Sequence, residues 1–271
     1  WNASQGRRFD AHHFGDLPTM CPEFDFDRPI KRYNLGKNYR EASGIALMPG
    51  EKSLAFVQDE QIRIYGLDLK SGKVRKTQAF HSGDAEDVVV MGRTAYVLAA
   101  GVNPAIYVIK DYTDPKTHID QYDLGLHEDD DPEGLCHDAK GNRLLIACKG
   151  SSLPGDRTRN VYSFDLKTHT PNTQSPVLVI DSDKLDLGGK IFHPSGIAIH
   201  PRSNLIYMVG TKGIKLLVCC RWDGMVLNRQ KLDKKRFEQP EGVTFSEAGE
   251  MFICSEGKKK KARIYQFTPE K

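Results

Sequence analysis

Three glutamates hold the same place in a short phrase that recurs along this chain. The phrase reads Ala42-Ser43-Gly44-Ile45, Ala85-Glu86-Asp87-Val88, Pro132-Glu133-Gly134-Leu135, Pro194-Ser195-Gly196-Ile197 and Pro240-Glu241-Gly242-Val243. If each copy opens one unit of a ring, its second residue lies at one height around the ring axis. That brings together Ser43, Glu86, Glu133, Ser195 and Glu241. Carboxylates crowded in this way resist ionising unless positive charge lies among them. A hard cation supplies it, and calcium suits an oxygen-only donor set of loose geometry. Zinc wants His or Cys, and only Cys148 lies near these positions. A second set follows from matching the next strand of each unit: Asp59, Ala100, Lys149, Gly210 and Glu256. Glu41, Glu60, Asp84, Asp87 and Asp131 are close in sequence. A purely structural reading stands beside that of a bound cation: the glutamates cap strand ends, hold neighbouring N–H groups and pair with Lys149.

The elements that must position these residues are short strands. The second positions of the phrase are 43, 86, 133, 195 and 241, so the spacings are 43, 47, 62 and 46 residues. Spacings of about 40–50 residues are those of propeller blades. Each phrase begins an apolar strand and leads to a turn rich in Gly, Pro, Asn or Asp. Second strands follow at 53–57, 94–99, 143–148, 205–209 and 250–254, and third strands at 62–67, 105–110, 161–166, 215–221 and 263–267. More polar fourth strands fit 73–80, 119–125, 176–180 and 225–232. Short β-rich runs between turn signals mark a closed all-β fold. The fifth repeat ends after its third strand, and its missing fourth is predicted at the other end of the chain. Ile30-Lys31-Arg32-Tyr33-Asn34-Leu35-Gly36 matches Ile119-Asp120-Gln121-Tyr122-Asp123-Leu124-Gly125. The prediction is an all-β, five-bladed β-propeller of four-stranded antiparallel blades over 29–271, its last blade completed by about 30–36. Residues 1–28 form a tail outside the repeats, and the long 62-residue spacing is assigned to insertions around 151–159 and 181–192.

Composition narrows the partners. The 39 basic and 36 acidic residues are too balanced for a nucleic-acid binder, and no basic face is interleaved with aromatics. No apolar run approaches the roughly 20 residues of a membrane span. The chain starts at Trp1, which fits a removed export signal or a trimmed sequence. Its six cysteines lack ligand spacing, and Cys136, Cys219, Cys220 and Cys254 sit in apolar runs where cysteine packs as a small hydrophobe. Glu128-Asp129-Asp130-Asp131 reads as a solvated loop without EF-hand spacing, and Lys258–Lys261 as a solvated hairpin tip. His12-His13 lies in the tail, and His193 precedes Pro194 and is expected at the rim; His193 and His200 flank the fourth inner strand.

Glu41-Ala42-Ser43-Gly44-Ile45, Asp131-Pro132-Glu133-Gly134-Leu135 and Gln239-Pro240-Glu241-Gly242-Val243, with Ser255-Glu256-Gly257, resemble the SdiA-regulated (YjiK-like) family over about residues 29–271. The blade-start phrases are shared with more distant NHL-type propellers. The resemblance implies a five-bladed propeller with a calcium site, exported or membrane-anchored in bacteria, and it carries no established activity; by the match of the blade-start motif it nominates Glu86, Glu133 and Glu241 as the metal ligands, with Asp59 and Glu256 as second choices. Two functions follow as expectations. One is a monomeric, extracytoplasmic binding or scaffold module, periplasmic or a surface lipoprotein, that takes an unknown small molecule or protein at the channel mouth. The other is a metal-dependent hydrolase, lactonase-like or phytase-like, in which one of Glu86, Glu133 or Glu241 serves as general base. Phytase chemistry needs basic residues near the metal, and only Lys149 is placed for that.

Overall fold

The computed structural model describes residues 20–59, 61–77, 81–257 and 260–270. Strand β1 (Lys31–Asn34) comes first in the chain and last in the ring. Blade one holds β2 (Ala42–Leu47), β3 (Ser53–Gln58), β4 (Gln61–Asp68), β5 (Val74–Lys76) and the short β6 (His81–Ser82). Blade two is β7 (Ala85–Met91), β8 (Thr94–Ala99), β9 (Ala105–Ile109) and β10 (Ile119–Asp123). Blade three is β11 (Pro132–Asp138), β12 (Arg143–Cys148), β13 (Thr158–Asp165), β14 (Thr170–Asn172) and β15 (Leu178–Asp181). Blade four is β16 (Pro194–Ile199), β17 (Ile206–Gly210), β18 (Leu216–Cys220) and β19 (Val226–Lys231). Blade five is β20 (Gln239–Phe245), β21 (Met251–Glu256) and β22 (Arg263–Phe267), completed by β1. All pairings are antiparallel.

The ring is closed as its sequence suggests. Lys31 to Asn34 pair with Gln266 to Arg263. The Ile30 N–H donates to Gln266 O and the Leu35 N–H to Ala262 O, both at 2.9 Å, which extends the contact to 30–35. Chain start and chain end thus share one sheet, and blade five is left without an unpaired inner edge. The extra length between repeats three and four builds no sixth blade. It goes into the 149–157 loop, the split outer edge β14 and β15, and a 3-10 turn at Ser182–Leu185. The fourth strand predicted at 73–80 is interrupted in the same manner: β5 and β6 both lie on β4, and 78–80 fall outside the described residues.

Because successive side chains of a strand point to opposite faces, each blade buries both faces against its neighbours. Five apolar clusters result, one between each adjacent pair of blades. Phe56, Phe164, Phe252 and Phe267 are essentially inaccessible within them. A fully buried side chain of this size stabilises by roughly 1.5–3 kcal/mol.

Residues 20–28 lie along blades four and five. Phe24 packs against Tyr207 and Phe245, and Phe26 against Phe267. Phe24 bridges to Pro269, and the Glu270 N–H donates to Glu23 O at 2.8 Å. A disulfide joins Cys21 to Cys219 across 198 residues. This corrects the reading of Cys219 as a merely packed hydrophobe: it is buried in the cluster between blades four and five and is bonded there to the strap. Cys136, Cys148, Cys220 and Cys254 are free and buried.

Candidate functional site

The recurring phrase has a structural cause. In every blade the first strand carries a register shift at the phrase: Ala42/Ile45, Ala85/Asp87, Pro132/Gly134, Pro194/Gly196 and Pro240/Gly242. A bulge adds an unpaired residue and re-aims its side chain. In blades two to five the residue set aside is the second of the phrase, and in blade one it is the second and third, so Ser43, Glu86, Glu133, Ser195 and Glu241 hold matching places in the register. The third residue is where inner strands meet backbone to backbone. A Cβ on Gly196 would lie 2.5 Å from Glu241 O, and one on Gly242 would lie 3.0 Å from Ser43 O. The axis therefore requires glycine in four blades.

Blade two departs from this pattern with Asp87, and the departure has a role that sequence reasoning missed. Asp87 is 1% exposed. Its Oδ1 accepts the Val88 N–H at 2.8 Å and its Oδ2 the Leu135 N–H at 2.7 Å. The Ile45 N–H also donates to this carboxyl. One side chain thus ties the inner strands of blades one, two and three. Burial raises its pKa well above the usual carboxylate value, and the three N–H groups oppose the rise.

Glu133 and Glu241 are each 7% exposed, and Glu86 is half-buried. Lys149 follows β12 and pairs its ammonium with Glu133. Its backbone is held in place from several sides. Lys149 O accepts from Arg159 Nε at 2.7 Å and lies 2.9 Å from His193 Nδ1. The Lys149 N–H donates to Asp131 O at 2.8 Å. The acidic run is thus no free loop but a 3-10 turn (Glu128–Asp130), capped by His127, against which the Lys149–Ser152 turn is hydrogen-bonded. His193 is at the rim, as expected, in a positioning role.

The carboxylates act on one another around the mouth. Burial raises Glu86 well above its usual value, and Glu133, Asp84 and Asp59 add to the rise. Glu133 is raised by burial and by Glu241, with Lys149 opposing. Glu241 is pushed up to about 7 by burial, with Lys149 opposing and Glu256 adding. Asp59, open to solvent at the rim, is raised to about 6 by the crowding of protein around it and by Asp84, Glu256 and Glu41. The chain of influences runs Glu86, Glu133, Glu241, Glu256, Asp59, Asp84 and back to Glu86. The five nominated residues are therefore linked by mutual electrostatic influence. Lys149 is held strongly in its charged form by Glu133, although burial opposes this.

Blade four supplies no acid to this series. The register pairs Pro194 with Gly210, as Pro132 pairs with Cys148, so the partner of Lys149 in blade four is Thr211 and not Gly210. Thr211 is buried, and Lys215 Nζ donates to its Oγ1 at 3.1 Å and to its carbonyl. Lys215 also acts on Glu241. The cations of the mouth thus stand on blades three and four, Lys149 beside Glu133 of its own blade, while the other acids come from blades one, two and five. Glu60 lies outside the described residues, as do Lys258 and Lys259 of the predicted hairpin tip; Lys260 is exposed, 3.9 Å from Glu238.

Calcium fits this donor set by chemistry, since every candidate is an oxygen. Glu241 Oε2 is buried and has no hydrogen-bond partner among the described residues. Glu133 is engaged by Lys149. Among the described residues no three His, Cys, Asp or Glu side chains are grouped so that they could hold a metal ion.

The SdiA-regulated family model matches residues 24–268. Among solved structures, the chain is similar to the apo soluble aldose sugar dehydrogenase of Escherichia coli (TM-score 0.60, 9% identity, 89% of this chain and 99% of that one). It is also similar to the PQQ-bound aldose sugar dehydrogenase of Streptomyces coelicolor (TM-score 0.56, 12% identity, 90% and 98%). A gluconolactonase of Xanthomonas campestris is similar too (TM-score 0.50, 14% identity, 92% and 86%). Likeness at such identities speaks for the propeller fold alone.

Proposed function

We propose that this chain, which belongs to the SdiA-regulated family, is a binding module whose channel mouth takes a hard divalent cation, calcium, outside the cytoplasm. The observation that carries this reading is the buried Glu241 Oε2, which has no hydrogen-bond partner among the described residues; the influence of Glu256 on the same carboxyl supports it. A buried carboxylate oxygen without a partner costs roughly 1–3 kcal/mol or more, and a bound cation offsets that cost. Glu241, Glu86, Asp59 and Glu256 would hold the ion, while Glu133 stays with Lys149. Lys149 and Lys215 leave the blade three and four side of the mouth able to attract an anionic group of a ligand. The Cys21–Cys219 disulfide supports an oxidising compartment.

Thermal unfolding of metal-stripped protein tests the reading. Calcium at about 100 times its dissociation constant adds roughly 2.7 kcal/mol to the folded state and raises the midpoint by several degrees. Glu241→Gln should abolish the rise. If neither calcium, magnesium nor zinc moves the midpoint, the acids are structural.

Catalysis is a second reading: Glu241 is buried with Oε2 unpartnered among the described residues, and burial pushes its carboxyl up to about 7, a value suited to a general base near neutral pH. A panel of lactones and phosphate esters, assayed with calcium and with Glu241→Gln as the control, decides it. Turnover lost in the variant establishes a hydrolase, and none on any substrate leaves a binding module.

A further inference from the structure

On the outer rim of blade five a groove of about 620 Å³ runs between the closing strand β1 and the connection from β19 to β20. Arg32 and Arg263 enter it from the face of the blade that also carries Tyr265, as the β1–β22 register requires. Lys235 and Arg236 enter from the connection, and Asp233 is the single acid among the lining residues. Arg236 is engaged, donating to Phe26 O and lying 3.7 Å from Asp27. Arg32 and Lys235 are exposed and make no ion pair among the described residues. Arg263 Nε is buried and has no acceptor among the described residues.

Charge on an outer strand is a common protection against edge-to-edge pairing. That purpose explains Arg32, but it does not explain Arg263, which lies on the inner neighbour of the edge, or Lys235, which comes from another blade's connection. Cations from two blades turned onto one groove, one with an unpartnered buried N–H, match a bound oxyanion. Guanidinium forks bind two oxygens of one phosphate at once. A volume in the range of about 300–1,000 Å³ for small-molecule sites leaves room for more than the anion. Exposed Ile30, at 53%, offers apolar surface for the rest.

We propose that this groove is an anion site for a phosphate monoester or diester group, carried by a small organic phosphate or by a lipid headgroup, and recognised by Arg32, Arg263 and Lys235. It is independent of the channel mouth and of its metal.

The test is titration calorimetry of the full chain at fixed ionic strength with glycerol 3-phosphate, together with sedimentation against phosphatidylglycerol vesicles and against phosphatidylcholine vesicles. The expected result is saturable binding to at least one phosphate probe, weakened tenfold or more in Arg32→Gln/Lys235→Gln. Both substitutions are at exposed positions, so the fold is kept. Arg263→Lys should weaken binding while retaining charge, and Lys167→Gln on blade three should change nothing. Binding to glycerol 3-phosphate identifies a small-molecule site, and binding to phosphatidylglycerol vesicles alone identifies a headgroup site. Absence of binding to all probes, or binding that survives Arg32→Gln/Lys235→Gln, overturns the proposal.

Discussion

Lys149→Met removes the ammonium that pairs with Glu133 and acts on Glu86 and Glu241. Both partners are well inside: their side chains are 19% and 9% exposed. Removing one member of such a pair costs about 3–5 kcal/mol when the other must stay charged. Glu133 has an alternative, because burial and Glu241 already disfavour its charge. In the variant it takes up a proton, and the loss is then limited to the work of protonation, about 1.4 kcal/mol for each pH unit above the ordinary carboxyl value of 4.5. The loss should be greatest near pH 8 and shrink towards pH 5.5. Urea midpoints of wild type and variant at both pH values measure this, and the double variant Lys149→Met/Glu133→Gln should recover most of the loss at pH 8. An equal loss at both pH values, unrelieved in the double variant, would show that Lys149 acts by packing and that the charge argument is wrong.

Other expectations concern the scaffold. His200 is buried among Tyr207 and Phe245, and burial lowers it to about 4 from 6.5. The folded state therefore binds fewer protons than the unfolded one between those values, and stability should fall by about 3 kcal/mol as pH drops from 6.5 to 4. His200→Asn should flatten that limb of a stability-against-pH curve. Glu241 acts in the opposite sense: its raised pKa makes stability decline as pH rises from 4.5 to about 7, a slope that Glu241→Gln should remove in the same titration. Cys21→Ser should lower stability by about 2–5 kcal/mol, and reductant should shift the melting midpoint of wild type but not of the variant. Gly196→Ala should fail to fold or lose several degrees, since its Cβ would meet Glu241 O at 2.5 Å; unchanged melting would contradict the close axial packing.

Much of this architecture is legible in the residues because it repeats. Five bulges need five similar phrases, and the closing strand betrays itself by matching 119–125, so ring, blade count and closure are all local pattern. The glutamates at 86, 133 and 241 follow from the same pattern. What the pattern hides is what happens once. Cys21 and Cys219 meet only because the strap crosses two blades, and no spacing encodes that. Asp87 is visible as the one phrase without glycine, but its three N–H partners come from three different repeats. Thr211 was displaced by one residue from the predicted Gly210 because strand pairing, not similarity of sequence, sets the register. Lys149 was visible among the acids; what sequence lacked was the Arg159, His193 and Asp131 contacts that hold its backbone there.

The most direct measurement is equilibrium dialysis of metal-stripped protein against radioactive calcium, with Glu241→Gln and Lys149→Met alongside. A cation-binding mouth predicts saturable binding by wild type, loss in Glu241→Gln, and tighter binding in Lys149→Met, where the ion no longer competes with an ammonium. Calcium bound equally by all three proteins, or by none, would contradict it.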